Sequence, residues 1–334
     1  MASKDQEYDV NDEIAAFFLK TSVRREACDV LAKELVSSDR VIPVAVQGAC
    51  SYTVYAGPNL DHVVQFRLKS LELKKETAAL ARQIFAGKES LLVYVMTRMR
   101  GMSHLDFILA HGFPENSGEN MAWRKNLIQD VARFFTLAWK APQEVDQAYR
   151  DRVAETFEKD LQILLGTLPE RFHPIIRHTL TSLPIILSLP MTLIHEDFGG
   201  CNIMVEEKSC HLVGVVDWAE VEIAPFGTNL YSLQNLMSKL HLKNGQIRYS
   251  DYDDLNRSFW ETFSDEVGGL DKNTIKAIKA VRVLGLLRSR GFTSRLGNMP
   301  EPVPITDDEN GRYNMMILDG LLLNPSTRFE GLNE

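Results

Sequence analysis

Cysteine is scarce in this chain: Cys28, Cys50, Cys201 and Cys210 are the four among 334 residues, and only the last two are near one another. That argues against the disulfide framework that staples small secreted domains. Cys201, Cys210 and the adjoining His211 could supply three soft ligands, but their spacing matches no zinc pattern, and unpaired reduced thiols are expected. Long apolar runs are missing too. The most apolar stretch, Leu183–Ile194, is interrupted by Pro184 and Pro190 and is too short to span a bilayer, so it reads as core. An excess of positive charge is also lacking. The net charge of −8 leaves no electrostatic footprint for nucleic acid and no basic patch for an anionic membrane. The opening MASKDQEYDVNDE is charged where a secretory leader would turn apolar, so a cytoplasmic location is expected.

What is present is a globular composition, 45% hydrophobic and 25% charged, enough for two lobes that each bury a core. Asn11 is a candidate cap for a first helix, and Val23, Ala27, Val30, Leu31 and Leu35 mark a second. From Val41 the pattern becomes strand, Gly-containing turn, strand, Pro/Asn/Asp turn, strand, through VIPVAVQG, ACSYTVYAG and HVVQFRL. A helix over Leu71–Phe85 and an apolar strand over Leu91–Met96 follow. Beyond Gly101, Trp123, Leu127, Val131, Phe134 and Ala138 mark a long amphipathic helix, with further helices near 145–165 and 170–182 and a mainly helical stretch after 230. The Pro-rich Met299–Pro304 reads as a surface loop.

The chemistry is concentrated in His195-Glu-Asp197-Phe-Gly-Gly-Cys-Asn202, a polar Gly-containing loop between two apolar segments. Asn202–Val205 and Leu212–Val216 read as a hairpin around the polar turn Glu206–Ser209, and Asp217 ends its second strand. Phosphoryl transfer needs a carboxylate to accept the proton of the attacking hydroxyl, and hard oxygen ligands for the metal that neutralises the phosphates. Asp197 suits the first task, and Asn202 with Asp217 the second. Alone, an Asp and an Asn five apart are as easily turn formers. The hairpin and the following Asp217-Trp218 favour the chemical reading.

LIHEDFGGCNIMV followed by LVGVVDWAEVEIAPFG resembles the catalytic loop and metal-binding segment of the aminoglycoside phosphotransferase and choline kinase family, in texture closest to its filamentous-fungal branch. The resemblance runs from about Val41 to Leu240. It implies an α+β, protein-kinase-like bilobal fold, with a small β-sheet N-lobe over 1–96 and a large, mainly helical C-lobe over 97–334. It makes Asp197 the catalytic base and Asn202 and Asp217 the magnesium ligands, with ATP as phosphoryl donor and a small hydroxylated molecule as acceptor. His195 becomes a residue that holds the loop, and Asn229 stands where the family commonly has an Asp bracing it. A monomer or weak dimer is expected.

In the N-lobe, Gly48 and Ser51 fall in a turn similar to the family's phosphate-covering turn, Gly48 permitting a tight backbone and Ser51 able to donate to a phosphate oxygen. By register the family's phosphate-binding cation falls at Gln65, which carries no charge. Arg67 points to the same face of the strand and could replace it, with Lys69 more distant and Glu76 as helix partner. Met96, Arg98 and Met99 belong to a segment resembling the hinge that reads adenine. Between Gly87 and Leu91 only a few polar residues stand where the family has another strand, so the small lobe is expected to be one strand short.

Gln65 and that short link motivate an alternative, a nucleotide- or ligand-binding pseudokinase. A metal-dependent hydrolase built on His195, Asp197 and Asp217 is disfavoured by the single His. Glu220 and Glu222, with Trp218, Phe226 and Trp260, could line a pocket for a cationic amine. Solvated glutamates and core aromatics are the preferred reading.

Overall fold

The computed structural model describes residues 8–48, 50–68, 82–84, 91–219, 221–293 and 303–330. The chain divides into two compact units, Met1–Met99 and Arg100–Glu334.

In the smaller unit, helices α1 (Val10–Phe18) and α2 (Arg25–Leu35) precede strands β1 (Val41–Pro43), β2 (Ser51–Ala56), β3 (His62–Leu68), β4 (Arg82–Ile84) and β5 (Leu91–Thr97). The cap of α1 is Asp9 rather than Asn11: its carboxylate accepts from Asn11 N at 2.7 Å. The strands form one antiparallel sheet in the order β1-β2-β3-β5-β4. Arg82–Ile84 pairs with β5, so the expected helix does not reach Phe85 and the sheet is not a strand short. The rest of that expected helix, with Lys69 and Glu76, lies outside the described residues.

Alternation divides the sheet into two faces. Tyr52, Val54, Val64, Phe66 and Val93 pack with Ile14 and Phe17 of α1 and Cys28 and Ala32 of α2. Tyr52 and Phe66 are essentially fully buried; each such side chain contributes roughly 1.5–3 kcal/mol of burial. The opposite face is the more polar one.

β1 is shorter than the apolar run Val41–Gly48. The Gln47 side chain takes over the pairing: its Nε2 donates to Val44 O and Thr53 O, and its Oε1 accepts from Thr53 N at 2.9 Å. A backbone ladder is thereby replaced by a loop.

The larger unit opens with β6 (Met102–Ser103) and α3 (His104–His111), then the long helices α4 (Gly118–Lys140) and α5 (Gln147–Thr167) and the shorter α6 (His173–Thr181) and α7 (Leu183–Leu187). Strands β7 (Met191–His195), β8 (Ile203–Val205), β9 (Leu212–Val215) and β10 (Val221–Pro225) carry the loop of interest. After α8 (Gln234–Met237) comes a hairpin, β11 (Ser238–His241) and β12 (Gly245–Arg248), where helix was expected, then α9 (Tyr252–Val267), α10 (Lys272–Arg290) and α11 (Arg312–Leu318). Of the expected loop Met299–Pro304, residues 299–302 lie outside the described residues, and Pro304 bridges to Phe292.

One continuous core fills this unit, with Phe135, Phe226, Phe259 and Phe263 in contact at its centre. Gly101, at the entry, has φ 111°, and a Cβ there would fall 2.5 Å from Val205 O. Only glycine permits this approach of β6 to β8. Among the described residues, no helix is long and apolar enough to cross a membrane.

Candidate active site

Two antiparallel pairings place the candidate segment His195–Asn202. His195, the last residue of β7, lies opposite Val221 of β10. Ile203 of β8 lies opposite Val215 of β9, and Val216 N donates to Asn202 O at 2.9 Å, extending that ladder by one pair. Asn202 and Asp217 therefore sit at the open end of one hairpin, close to the loop that leaves β7.

The structure brings Asp197 and Asn202 together. Asn202 Nδ2 donates to the Asp197 carbonyl at 2.8 Å and to its carboxylate Oδ2 at 2.9 Å. The Asn202 side chain is 9% exposed, whereas Asp197 and Asp217 are both exposed. With Nδ2 engaged, the amide oxygen is the Asn202 atom with lone pairs to offer a cation. Asp217 adopts φ 60°, the left-handed region that non-glycine residues occupy at a cost of about 1 kcal/mol. Such strain persists where surrounding structure enforces it, commonly at functional sites.

Four side chains hold the loop. Phe198 is 3% exposed and packs on Phe134 and Phe135 at ring-centroid distances of 5.6 and 5.3 Å. His195, 1% exposed, donates from Nε2 to Val216 O at 2.9 Å, which ties the end of β7 to the residue before Asp217. Its ring meets Trp218 edge-on. That geometry fixes the Nε2–H tautomer and makes His195 a brace. Asn229 donates to the His195 carbonyl at 3.2 Å, retaining the brace without the charge of an Asp. Tyr231, missed in the sequence, reaches the Glu196 carbonyl at 3.5 Å.

Behind the loop is a buried ionic group that sequence reasoning did not find. Arg288 of α10 donates from Nε to Asp160 of α5 at 3.0 Å and from Nη1 to Glu222 of β10 at 3.2 Å. Its guanidinium stacks over Phe157. A Cβ at Gly285, one turn earlier, would collide with the Thr228 carbonyl oxygen, so α10 is pressed against the segment that supplies Asn229 and Tyr231. The amine pocket considered from the sequence is not assembled. Glu222 is neutralised by Arg288, Phe226 is 1% exposed in the core, and Trp260 packs edge-on against Phe259 and Phe263. Glu220 lies outside the described residues.

Cys201 is exposed as a residue, yet partial desolvation of its thiol first, then the Asp197 and Asp106 carboxylates, raise that thiol above the usual range. It is thus a poor nucleophile. Among the described residues, no three His, Cys, Asp or Glu side chains converge as a metal cage, so Cys201, Cys210 and His211 form none. His211 instead bonds Asp130 at 2.6 Å. The hard oxygens of Asn202 and Asp217 fit a magnesium ion that completes its shell with phosphate and water, because such ions use only one or two protein carboxylates.

In the smaller unit, register places Ser51 opposite Arg67, Thr53 opposite Gln65 and Val63 opposite Met96. Ser51, Gln65, Arg67 and Met96 thus share the sheet face turned away from α1 and α2. A polar ladder runs along it: Arg67 Nη1 donates to Gln65 Oε1 at 3.3 Å, Gln65 Nε2 to Thr53 Oγ1 at 3.4 Å, and Thr53 Oγ1 meets Ser51 Oγ at 3.3 Å.

Gly48 has no positive φ, and a Cβ there would meet only Ser51 Oγ at 3.9 Å, so the turn itself does not require glycine. Arg98 is occupied elsewhere: its backbone N donates to Asp61 O, Nη1 to Leu60 O, and its guanidinium lies 3.7 Å from the Tyr55 ring centroid. It clamps the β2–β3 turn to the end of β5. Met99 is 36% exposed.

The profile of the phosphotransferase enzyme family, APH, matches residues 71–246, more than half of the chain. No curated protein matches. Among solved structures, a GDP complex of an aminoglycoside 2′-phosphotransferase-IIIa is 14% identical over 78% of this chain and 86% of that one, with a TM-score of 0.51. A candidate aminoglycoside phosphotransferase from Ralstonia eutropha JMP134 is 13% identical over 80% of this chain and 88% of that one, also at 0.51. A Streptomyces rimosus aminoglycoside phosphotransferase, solved with ADP and streptomycin, is 11% identical over 78% of this chain and 97% of that one, at 0.44. The antiparallel sheet, the helical second unit and the profile match agree: the chain belongs to the phosphotransferase enzyme family and has its kinase-like fold.

Proposed function

We propose that the protein transfers the γ-phosphoryl group of ATP to a hydroxyl of a small molecule, with Asp197 as base. The observation that carries this reading is the pair of hydrogen bonds from Asn202 Nδ2 to the Asp197 carbonyl and carboxylate. It fixes one carboxylate oxygen and leaves the other to accept the hydroxyl proton. The acceptor oxygen then bonds to the γ-phosphorus while the bond to the β-phosphate oxygen breaks, and ADP leaves with that electron pair.

Asn202 Oδ1 and the Asp217 carboxylate would hold magnesium, which supplies charge neutralisation to the phosphates. From the smaller unit, Arg67 supplies the cation and Gln65 orients it through the 3.3 Å bond, so the residue in the family's cation position acts as a guide. Ser51 offers its hydroxyl to a phosphate, and Met96 and Met99 an apolar contact to the base.

The test is calorimetric titration of ATP with and without Mg²⁺, on wild type and Asn202→Ala. Magnesium should tighten wild-type binding by about tenfold, 1.4 kcal/mol, and the variant should lose that gain. Nucleotide binding indifferent to Mg²⁺ in the wild type would remove the metal role of Asn202 and Asp217 and leave a nucleotide-binding pseudokinase.

A further inference from the structure

A groove enclosing about 190 Å³ opens between α6 and α10 in the larger unit, and nothing in the phosphoryl-transfer reading uses it. Its floor is apolar: Ile175 and Val283 are 9% and 6% exposed. The hydroxyls on its α6 wall are already spent, Thr179 Oγ1 on Ile175 O and Ser182 Oγ on His178 O, each at 2.8 Å. Polarity is left to the rim, where Lys272, Lys276 and Lys279 occupy successive turns of one face of α10.

Glu330 is the one carboxylate among the described lining residues, against three lysines. Lys279 has a further partner in the fold. Lys272 and Lys276 are exposed and enter no ion pair among the described residues. Like charges four apart on a helix repel, by a few tenths of a kcal/mol. The chain as a whole carries −8, so this basic rim runs against the general character of its surface.

We propose that this groove binds a small amphiphilic anion: a ring-sized or short-chain apolar body against Ile175 and Val283, with a carboxylate or phosphate head between Lys272 and Lys276. Size agrees, since an apolar cavity of about 150 Å³ accepts a benzene ring. Charge agrees as well, because the α6 wall's hydroxyls already donate elsewhere and the rim sets three ammonium groups and the His178 imidazole against the single Glu330 carboxylate. The same continuous helix holds Glu222 through Arg288 at its other end, so the ligand would rest on the element that backs the catalytic loop.

The experiment is calorimetric titration of the full chain with phenyl phosphate, benzoate, inorganic phosphate and benzyl alcohol. It is repeated on the Lys272→Glu/Lys276→Glu double variant and on the charge-neutral Lys272→Gln/Lys276→Gln. Phenyl phosphate and benzoate should bind the wild type with a Kd of about 1 mM or tighter, at least about tenfold more tightly than inorganic phosphate or benzyl alcohol. Both variants should lose that binding while keeping wild-type ATP affinity, which shows that they are folded. Binding of phenyl phosphate and benzoate retained in the Gln variant, or inorganic phosphate or benzyl alcohol binding as well as the amphiphiles, overturns the proposal. So does absence of binding to the wild type at about 10 mM.

Discussion

Lowering the pH from 7 to 5 should cost the larger unit about 2 kcal/mol of folding stability through His104 alone. His104 is the first residue of α3 and is 5% exposed, and the next residue's N–H donates to Gly200 O at 3.0 Å in the loop that carries Asp197. Burial lowers its pKa from 6.5 to about 4. The unfolded chain therefore binds a proton that the folded protein refuses between pH 6.5 and about 4. Stability is fully present above pH 6.5 and falls as pH drops through that window. Each pH unit crossed inside the window removes about 1.36 kcal/mol, so the loss is about 2 kcal/mol at pH 5 and approaches about 3 kcal/mol below pH 4.

The assay is urea unfolding followed by tryptophan fluorescence, since Trp123, Trp139, Trp218 and Trp260 all lie in the larger unit. His104→Gln keeps a polar side chain without a titration in this range. Its stability should be less dependent on pH, and the difference between wild type and variant should change by about 2 kcal/mol from pH 7 to 5. Parallel pH profiles would refute the reasoning.

Arg288→Met removes the cation that bonds Asp160 and Glu222, and urea unfolding should register a loss of about 3–5 kcal/mol. Adding Asp160→Asn and Glu222→Gln should recover most of it, and a triple variant no more stable than the single would show that the charges are not the cause. Asp217→Gly relieves the left-handed backbone, so the variant's Tm should rise by roughly 2–4 °C for about 1 kcal/mol while transfer activity is lost. A lower Tm would mean that the Asp217 side chain stabilises the fold by more than its backbone strain costs.

The local structure of the candidate segment was legible because its information is local. Asp197 and Asn202 are five residues apart, and the apolar runs on both sides announced the hairpin that ends in Asp217. Strand alternation likewise placed Gln65 and Arg67 on one face. Elements decided by distant contacts were not legible. Arg82–Ile84 lies in a run with helical character and becomes a strand because β5 offers an edge. Arg288 meets Asp160 from 128 positions away, and nothing near either residue marks the pair. The β11–β12 hairpin did have a signal, Asn244-Gly245, the dipeptide suited to a tight turn, with Gly245 at φ 73°. The Arg98 side chain likewise meets Tyr55 from 43 positions away, a contact that nothing near either residue marks.

Asp197→Asn tests the central claim most directly, measured as phosphoryl transfer from ATP across hydroxylated amines, sugars and amino acids, with nucleotide affinity recorded alongside. The variant retains the shape of the side chain and can still face Asn202 Nδ2, so ATP binding should stay close to wild type. Transfer to the accepted hydroxyl should fall by about 10²–10⁴-fold. Wild-type transfer by Asp197→Asn would contradict the account and move the base elsewhere.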